Sequence, residues 1–470
     1  MSRTLLRLVT VLGLILLVTA LTIGGSLLPT REPAAARPVD PDGRTVTICP
    51  AAPTISVAST TAWGSLGVRE VGQEGLRTIP TGTGSVLTDN AAPMLMVAEG
   101  RQNQASAASA FAREPAGPSR GLGLARCGTP ATSLWFTGLV SNPDDPVLGL
   151  RSEVVLINPD EGQAEIDLVL FGPSGVQTAA GTRGIAVPAR SVRTVALESL
   201  FTRPDPIGVE VRANRGRVAA VVRQHVSAGV QPTGTDWQVS STAPAGTQVV
   251  PGVPGGPGPR TLVLSNPNQR RTTATIEVLG PQGVFSPADA ASIDINAEST
   301  ASVSLTAGLG GEPGAVRVVA DQPLVAAVVA RSAENGPDAD VAIQPASVTV
   351  SGIGIAALAA APGVTGDVLV TNGGDAEVVV PLTADGADGG ELAATELVVP
   401  PGATAGWRLE AMAEIASVRL DAPEGSRLWA GVVVSSSADP VGGLATSPLS
   451  VPERQQGGGI EPDFDPGAGR

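Results

Sequence analysis

One stretch recurs along this chain and restricts it more than any other feature: an apolar run ending in Asn, a turn, an alternating strand and a Gly-rich turn. It is clearest as Leu262–Pro267 (LVLSNP), Ala274–Leu279 (ATIEVL) and Gly280–Gly283 (GPQG). An earlier copy reads Val154–Pro159 (VVLINP), Ala164–Leu170 and Gly172–Gly175. A later, more degenerate copy reads Val368–Asn372 (VLVTN), Ala376–Val380 and Ala384–Gly386. Extended runs joined by such turns are the opening hairpin of a small all-β domain.

The copies continue past the hairpin. Val195 and Leu197 correspond to Val303 and Leu305, and to Trp407 and Leu409. Gly208–Arg212, Ala315–Val319 and Ala416–Leu420 alternate apolar and polar residues, the period of a half-buried strand. Val218–Val222 and Val325–Val329 share the sequence VAAVV, and Leu428–Val434 follows as a third apolar run, each reading as a central strand. Asn158 to Asn266 and Val195 to Val303 are both 108 residues apart, a constant spacing that points to tandem duplication. Six or seven strands per copy predict an immunoglobulin-like or fibronectin-like β-sandwich. No copy has its own cysteine pair and the chain has no Tyr, so the architecture is supported and the topology is left open. The alternative, a propeller, has blades of about half this length.

The N-terminus carries a different signal. Arg3 and Arg7 precede an uncharged apolar run, Leu8–Leu28, of 21 residues. A length near 20 suits a membrane-spanning helix, and the flanking arginines place the N-terminus inside and the body outside. The competing reading is a signal peptide cut after Ala34–Ala36. Both readings export the body of the protein. The expected organisation is a signal anchor at 1–29, a linker at 30–44, a divergent disulfide-tied β-domain at 45–140, sandwich repeats at 141–250, 251–355 and 356–451, and a disordered tail at 452–470. Pro251–Pro259 and the stretch 356–366 read as linkers.

Cys49 and Cys127 are the two cysteines, and in an exported chain they are most simply one disulfide; the other reading is two unrelated buried thiols. Two thiols with no neighbouring His do not make a metal site. The net charge of −14 argues against nucleic acid. His225 is the single histidine, and no phosphate loop, nucleophile elbow or His-Glu-x-x-His motif accompanies it. It reads as a strand-end histidine. Asp144 with Asp145, and Asp385 with Asp388, are the carboxylate pairs that would serve acid–base chemistry or calcium, though both sit in ordinary turn contexts. No catalytic, cofactor or metal residues are therefore assigned. Trp63, Trp135, Trp237, Trp407 and Trp429 are candidate sugar platforms, with Trp407 and Trp429 aligned to core valines.

On its N-terminal apolar segment, the early Cys49 and Cys127, and the Asn-Pro hairpins at Asn158 and Asn266, the chain resembles an actinobacterial family of exported proteins of unknown function. The resemblance implies a cell-envelope location and no known activity. The expected role is a non-enzymatic, membrane-anchored structural or interaction protein, a rigid string of sandwiches facing another envelope component. The alternative is a carbohydrate-binding or accessory module for cell-wall glycans; a carboxylate hydrolase is third. The last repeat departs most from the others and is acidic, with twelve Asp or Glu against three Arg from Asp367 to Asp439. It is the expected partner-facing end, suited to a basic partner; the plainer reading is charge that keeps the domain soluble.

Overall fold

The computed structural model describes residues 45–451 apart from 60–64, 81–84, 91, 99–105, 115–119, 146–147, 334–339, 359–362, 411–412 and 437–442. The expected anchor at 1–29, linker at 30–44 and tail at 452–470 lie outside the described residues. Among the described residues, no helix is long and apolar enough to cross a membrane.

The chain is all-β, as the alternating runs predict, and its strands fall into four successive groups. The first holds β1 (Thr45–Cys49), β2 (Ala52–Ser59), β3 (Ser65–Glu70), β4 (Arg77–Pro80), β5 (Ser85–Asn90), β6 (Met94–Ala98), β7 (Ser106–Glu114) and β8 (Gly121–Arg126). The second holds β9 (Ser133–Ser141), β10 (Gly149–Asn158), β11 (Ala164–Gly172), β12 (Gly175–Gln177), β13 (Ile185–Val187), β14 (Ser191–Ala196), β15 (Arg203–Arg215), β16 (Ala219–Ala228) and β17 (Gln231–Gln238). The third holds β18 (Ala245–Val253), β19 (Arg260–Asn266), β20 (Thr272–Gly280), β21 (Gly283–Phe285), β22 (Ser292–Ile295), β23 (Ser299–Ser304), β24 (Gly314–Arg331) and β25 (Val341–Pro345). The fourth holds β26 (Ile353–Ala357), β27 (Thr365–Asn372), β28 (Val378–Gly386), β29 (Glu391–Val399), β30 (Thr404–Leu409), β31 (Ile415–Asp421), β32 (Leu428–Ser436) and β33 (Gly443–Pro448).

One strand order serves all four groups. Sheet β1-β6-β3-β4 accompanies β5-β2-β7-β8, and β9-β15-β11-β12 accompanies β14-β10-β16-β17. In the third group β24 runs through both sheets, as β18-β24-β20-β21 and β23-β19-β24-β25; in the fourth, β26-β31-β28-β29 accompanies β30-β27-β32-β33. The two sheets of a group share one core. In the second, Ile166 and Val209 of one sheet pack with Leu156 and Val222 of the other, all buried. The region expected to be divergent thus has the same topology as the repeats.

This order differs from the immunoglobulin one, in which the strand that follows F stays beside it in the CFG sheet. Here the chain leaves β15 and crosses to pair with β10 in the opposite sheet, and β9 takes the vacated place beside β15. In the third unit the crossing is made without a break: β24 runs from one sheet into the other through Ala320–Leu324, which holds Pro323 and no residue of positive φ, whereas positive-φ Gly216 and Gly425 stand at the crossings of the second and fourth units.

The expected boundaries at 141 and 251 fall within β9 and β18, the first strands of their sandwiches. Of the Pro251–Pro259 stretch, expected as a linker, Pro251–Val253 end β18 and the remainder is a packed loop. Buried Arg260 donates from Nε to the Pro254 carbonyl (2.7 Å) and from Nη1 to those of Gly258 and Arg331 (2.8 Å each). Burial holds its guanidinium down at about 10.

The sandwiches form a ring instead of the expected string. Their last strands β8, β17, β25 and β33 meet at a hub, β8 against β17 and β33, and β25 against β17 and β33. The first sheet of each unit also backs onto the last strands of the next. Leu134 and Phe136 of β9 cluster with Ala327 and Ile343 of the third unit. Closing the ring, Leu122 and Leu124 of β8 join the core of the fourth unit with Ala356 and Leu358.

Candidate functional site

Two buried carboxylates tie the hub. Asp236 Oδ2 accepts from the Ile343 N–H (3.2 Å), and Asp340 Oδ2 from the Leu444 N–H (3.0 Å), so the second, third and fourth sandwiches are joined in series. The backbone of β8 also donates, at Leu124 to Asp236 and at Leu122 to Asp340. A Cβ on Gly234 would lie 1.8 Å from Asp340 Oδ1, so glycine is what lets this carboxylate in. Burial raises both carboxyls, Asp340 to about 8, and the proximity of Asp340 adds to the rise at Asp236. These are structural acceptors of backbone N–H groups.

Beside the second sandwich lies a cleft of about 670 Å³, and it brings together residues that the sequence singles out separately. Asp144, Asp145 and His225 all line it, with Arg151, Glu153 and Glu198. β16 sits between β10 and β17, which sets His225 next to Glu153 and Thr235. The ring Nδ1 is 3.1 Å from Thr235 Oγ1 and Nε2 is 3.9 Å from Glu153 Oε2. Arg223 donates to the same carboxylate oxygen from Nε (3.1 Å) and Nη2 (2.5 Å).

His225 first, and Arg223 with it, hold the Glu153 carboxyl down at about 2 against its partial burial. A carboxylate that weakly basic is a poor proton acceptor near neutral pH, where a general base works best with a matching pKa. Asp145 caps a turn, accepting from Leu148 N (3.0 Å) and Asn142 Nδ2 (3.3 Å). Within the cleft, Glu153 is thus committed to Arg223 and His225, and Asp145 to its own turn. In the other pair, Asp388 accepts from Gly390 N (3.0 Å) within its own turn, and burial raises Asp385. Among the described residues no cluster of His, Cys, Asp and Glu suits a metal ion.

Cys49 and Cys127 are joined as a disulfide, with both residues buried and their Cα atoms 4.4 Å apart. It binds β1 to the residue after β8. A cavity of about 400 Å³ lies against it, bounded by the first, second and fourth sandwiches through Cys127, Val221 and Ser450.

The four tryptophans among the described residues face inward. Trp135 stacks on Phe171, ring centroids 5.8 Å apart, beside Val325 of the third unit. Trp237 and Trp429 are buried and Trp407 is half-buried against the fourth core; Trp63 lies outside the described residues. Trp429 also accounts for Asn372-Gly373 where the other copies have Asn-Pro, because a Cβ at Gly373 would come within 2.4 Å of its ring.

The recurrent asparagines prove to be clamps. Asn266, fully buried, donates from Nδ2 to the carbonyls of Arg270 (2.7 Å) and Asn296 (2.8 Å) and accepts on Oδ1 from the Asn268 N–H (3.0 Å). Asn158 and Asn372 repeat the arrangement with Gly162 and Pro188, and with Ala376 and Val399. Sequence reasoning finds these positions but misses Asp236 and Asp340, whose one available signal is an acidic residue inside or just before an otherwise buried strand.

Comparison with known proteins adds little on activity. No curated protein matches the chain. Among solved structures, a Streptomyces avermitilis alpha-L-rhamnosidase complexed with L-rhamnose is 10% identical over 83% of this chain and 55% of its own, with a TM-score of 0.11. An Escherichia coli alpha-2-macroglobulin activated by porcine elastase is 12% identical over 88% of this chain and 43% of its own, with a TM-score of 0.09. The chain thus spans about half the length of these proteins or less, and at such scores the likeness carries neither fold nor function. A family profile, by contrast, matches residues 83–413, from the first sandwich into the fourth, and on that match the chain belongs to the DUF5719 family of unknown function.

Proposed function

We propose that the protein is a non-enzymatic interaction scaffold of the cell envelope, anchored by Leu8–Leu28 with its N-terminus cytoplasmic and its four sandwiches outside the cell. The observation that carries this reading is the closed ring. The strands β8, β17, β25 and β33 are sealed against one another, so turns and outer sheet edges are what remain for contact. Binding is usually carried by such turns on a rigid frame. The cleft at His225 supports the same reading, since its Glu153 is paired with Arg223 and held too weakly basic to serve as a general base. A glycan-binding surface finds no exposed tryptophan among the described residues.

The partner we infer is basic and meets the fourth sandwich, where Glu410, Glu414 and Glu424 are exposed. Attraction between exposed charges is screened over about 8 Å at physiological salt, so the encounter weakens as salt rises. The test is affinity capture from the native envelope with the full-length chain and a Glu410→Gln, Glu414→Gln, Glu424→Gln variant. Deleting 366–450 would be a poorer test, because it removes β33 from the hub and uncovers β8. Loss of the captured protein in the variant and at raised salt is expected; undiminished capture by the variant would overturn the basic-partner reading.

A further inference from the structure

The outer edges of the four sandwiches are not alike. At the edge where the first three carry β4, β12 and β21, strands of 4, 3 and 3 residues, the fourth carries β29 with 9. β29 pairs with β28 on one side and ends its sheet on the other, and most of its length is exposed. Leu392 and Val398 are 43% and 48% exposed, and Val398 lies opposite Val379 of β28, itself 44% exposed. A long, apolar, open edge is a template for another strand.

We propose that β29 is a self-pairing edge, through which two copies of this chain join their fourth sandwiches into one continuous antiparallel sheet. The argument is in the register. Val380, Leu382 and Ala384 of β28 face the core, and opposite them stand Leu397, Thr395 and Ala393 of β29. For two copies to keep their cores on the same side of a shared sheet, these residues must oppose one another, so the two-fold axis passes through a single residue. Centred on Glu396, it opposes two identical carboxylates, which is destabilising. Centred on Ala394, it sets Glu396 against Leu392 and leaves two residues unpaired.

Centred on Thr395, the axis pairs all nine residues. Leu392 then meets Val398, Ala393 meets Leu397, and Thr395 meets its own copy, a favourable cross-strand pair. Neither Glu391 nor Glu396 faces another charge. The backbone agrees with this register. Pro381 has no N–H, so its pair with Glu396 is of the kind without hydrogen bonds, and the Glu396 N–H and C=O point to the open edge. By the strand's period of two, those of Ala394 and Val398 do the same, so this register joins Ala394 to Glu396; a β-bulge at Leu392 interrupts the alternation there, and Leu392 meets Val398 through its side chain. The interface is isologous and closes as a dimer.

This inference goes beyond the basic-partner reading and has the opposite salt dependence. Two acidic fourth sandwiches repel, so screening strengthens their association. The test uses the full-length chain in detergent. Thr395→Cys places two thiols at the two-fold, within the reach of a disulfide. Under mild oxidation it is expected to form a covalent dimer at least several-fold faster than Val192→Cys, a control on β14 that is 40% exposed. The dimer should form faster at higher salt and be lost when Leu392→Glu is added. Equal rates at Thr395 and Val192, or cross-linking that survives Leu392→Glu, would overturn the proposal. Should Thr395→Cys fail to fold, sedimentation of the unaltered chain decides: a dimer that Leu392→Glu reduces to monomer supports self-pairing, and a monomer at every salt concentration contradicts it.

Discussion

Asp340 accepts a hydrogen bond from the backbone N–H of Leu444, 3.0 Å away and 104 residues further along the chain. The bond ties the third sandwich to the fourth inside the hub, where Asp340 is fully buried. Such a contact holds the ring, and it also makes the ring sensitive to pH. Burial raises the Asp340 carboxyl from its ordinary 3.8 to about 8 and raises Asp236 in the same direction. The folded chain therefore binds these protons more tightly than the unfolded one. Between about pH 4 and pH 8 it holds more protons, so its stability falls as pH rises through that window. Thermal unfolding followed across the window is expected to show a declining midpoint, and Asp340→Asn, which cannot ionise, is expected to reduce the slope. A slope unchanged in the variant would remove Asp340 as its source.

The asparagine clamp predicts a large effect from a small change. Asn266→Ala strips partners from the carbonyls of Arg270 and Asn296 and from the N–H of Asn268. With part of this backbone buried, the expected loss is about 2–4 kcal/mol, read from the urea midpoint. A loss below about 0.5 kcal/mol would mean that water replaces the amide freely.

A stabilising substitution is expected in the turn before β23. Glu298 has φ 51°, as Arg190 has 49° in the second unit, while the equivalent residue of the fourth is Gly402. Residues with a Cβ are strained there, so Glu298→Gly should raise stability by about 0.5–1 kcal/mol. A lower unfolding midpoint would show that the glutamate side chain contributes more than its backbone conformation costs.

The disulfide spans 78 residues of chain. By the chain-entropy relation its reduction should cost about 4–5 kcal/mol. Unfolding with and without reductant gives the difference directly, and alkylation of denatured, unreduced chain should label neither Cys49 nor Cys127.

The sandwiches were readable because they are local. The Asn158, Asn266 and Asn372 hairpins and the alternation in Gly208–Arg212 lie within a few residues, and each names its own structure. Even there, Glu210 was expected on an open face and is buried, with Arg212 and Ser133 as partners. The outer face of its sheet is covered by the next sandwich, which leaves no mark on the strand itself. The hub is the extreme case. The Arg126 N–H reaches Ser447 Oγ at 3.1 Å across 321 residues. The strands that meet there, Gln231–Gln238 and Gly443–Pro448 among them, carry Gly, Pro, Thr and Ser, so they read as connectors and turns. Burial on every side relieves them of any alternating pattern. The His225 cleft was half legible, since the residue types were evident while the register that gathers them was not.

Closure of the ring is the claim on which the rest depends, and small-angle X-ray scattering of residues 44–454 tests it most directly. A closed ring of this length should give a radius of gyration of about 22 Å, the value expected for a compact chain. Four sandwiches strung end to end would give roughly twice that; a value near the larger figure, unchanged by concentration, would contradict the account.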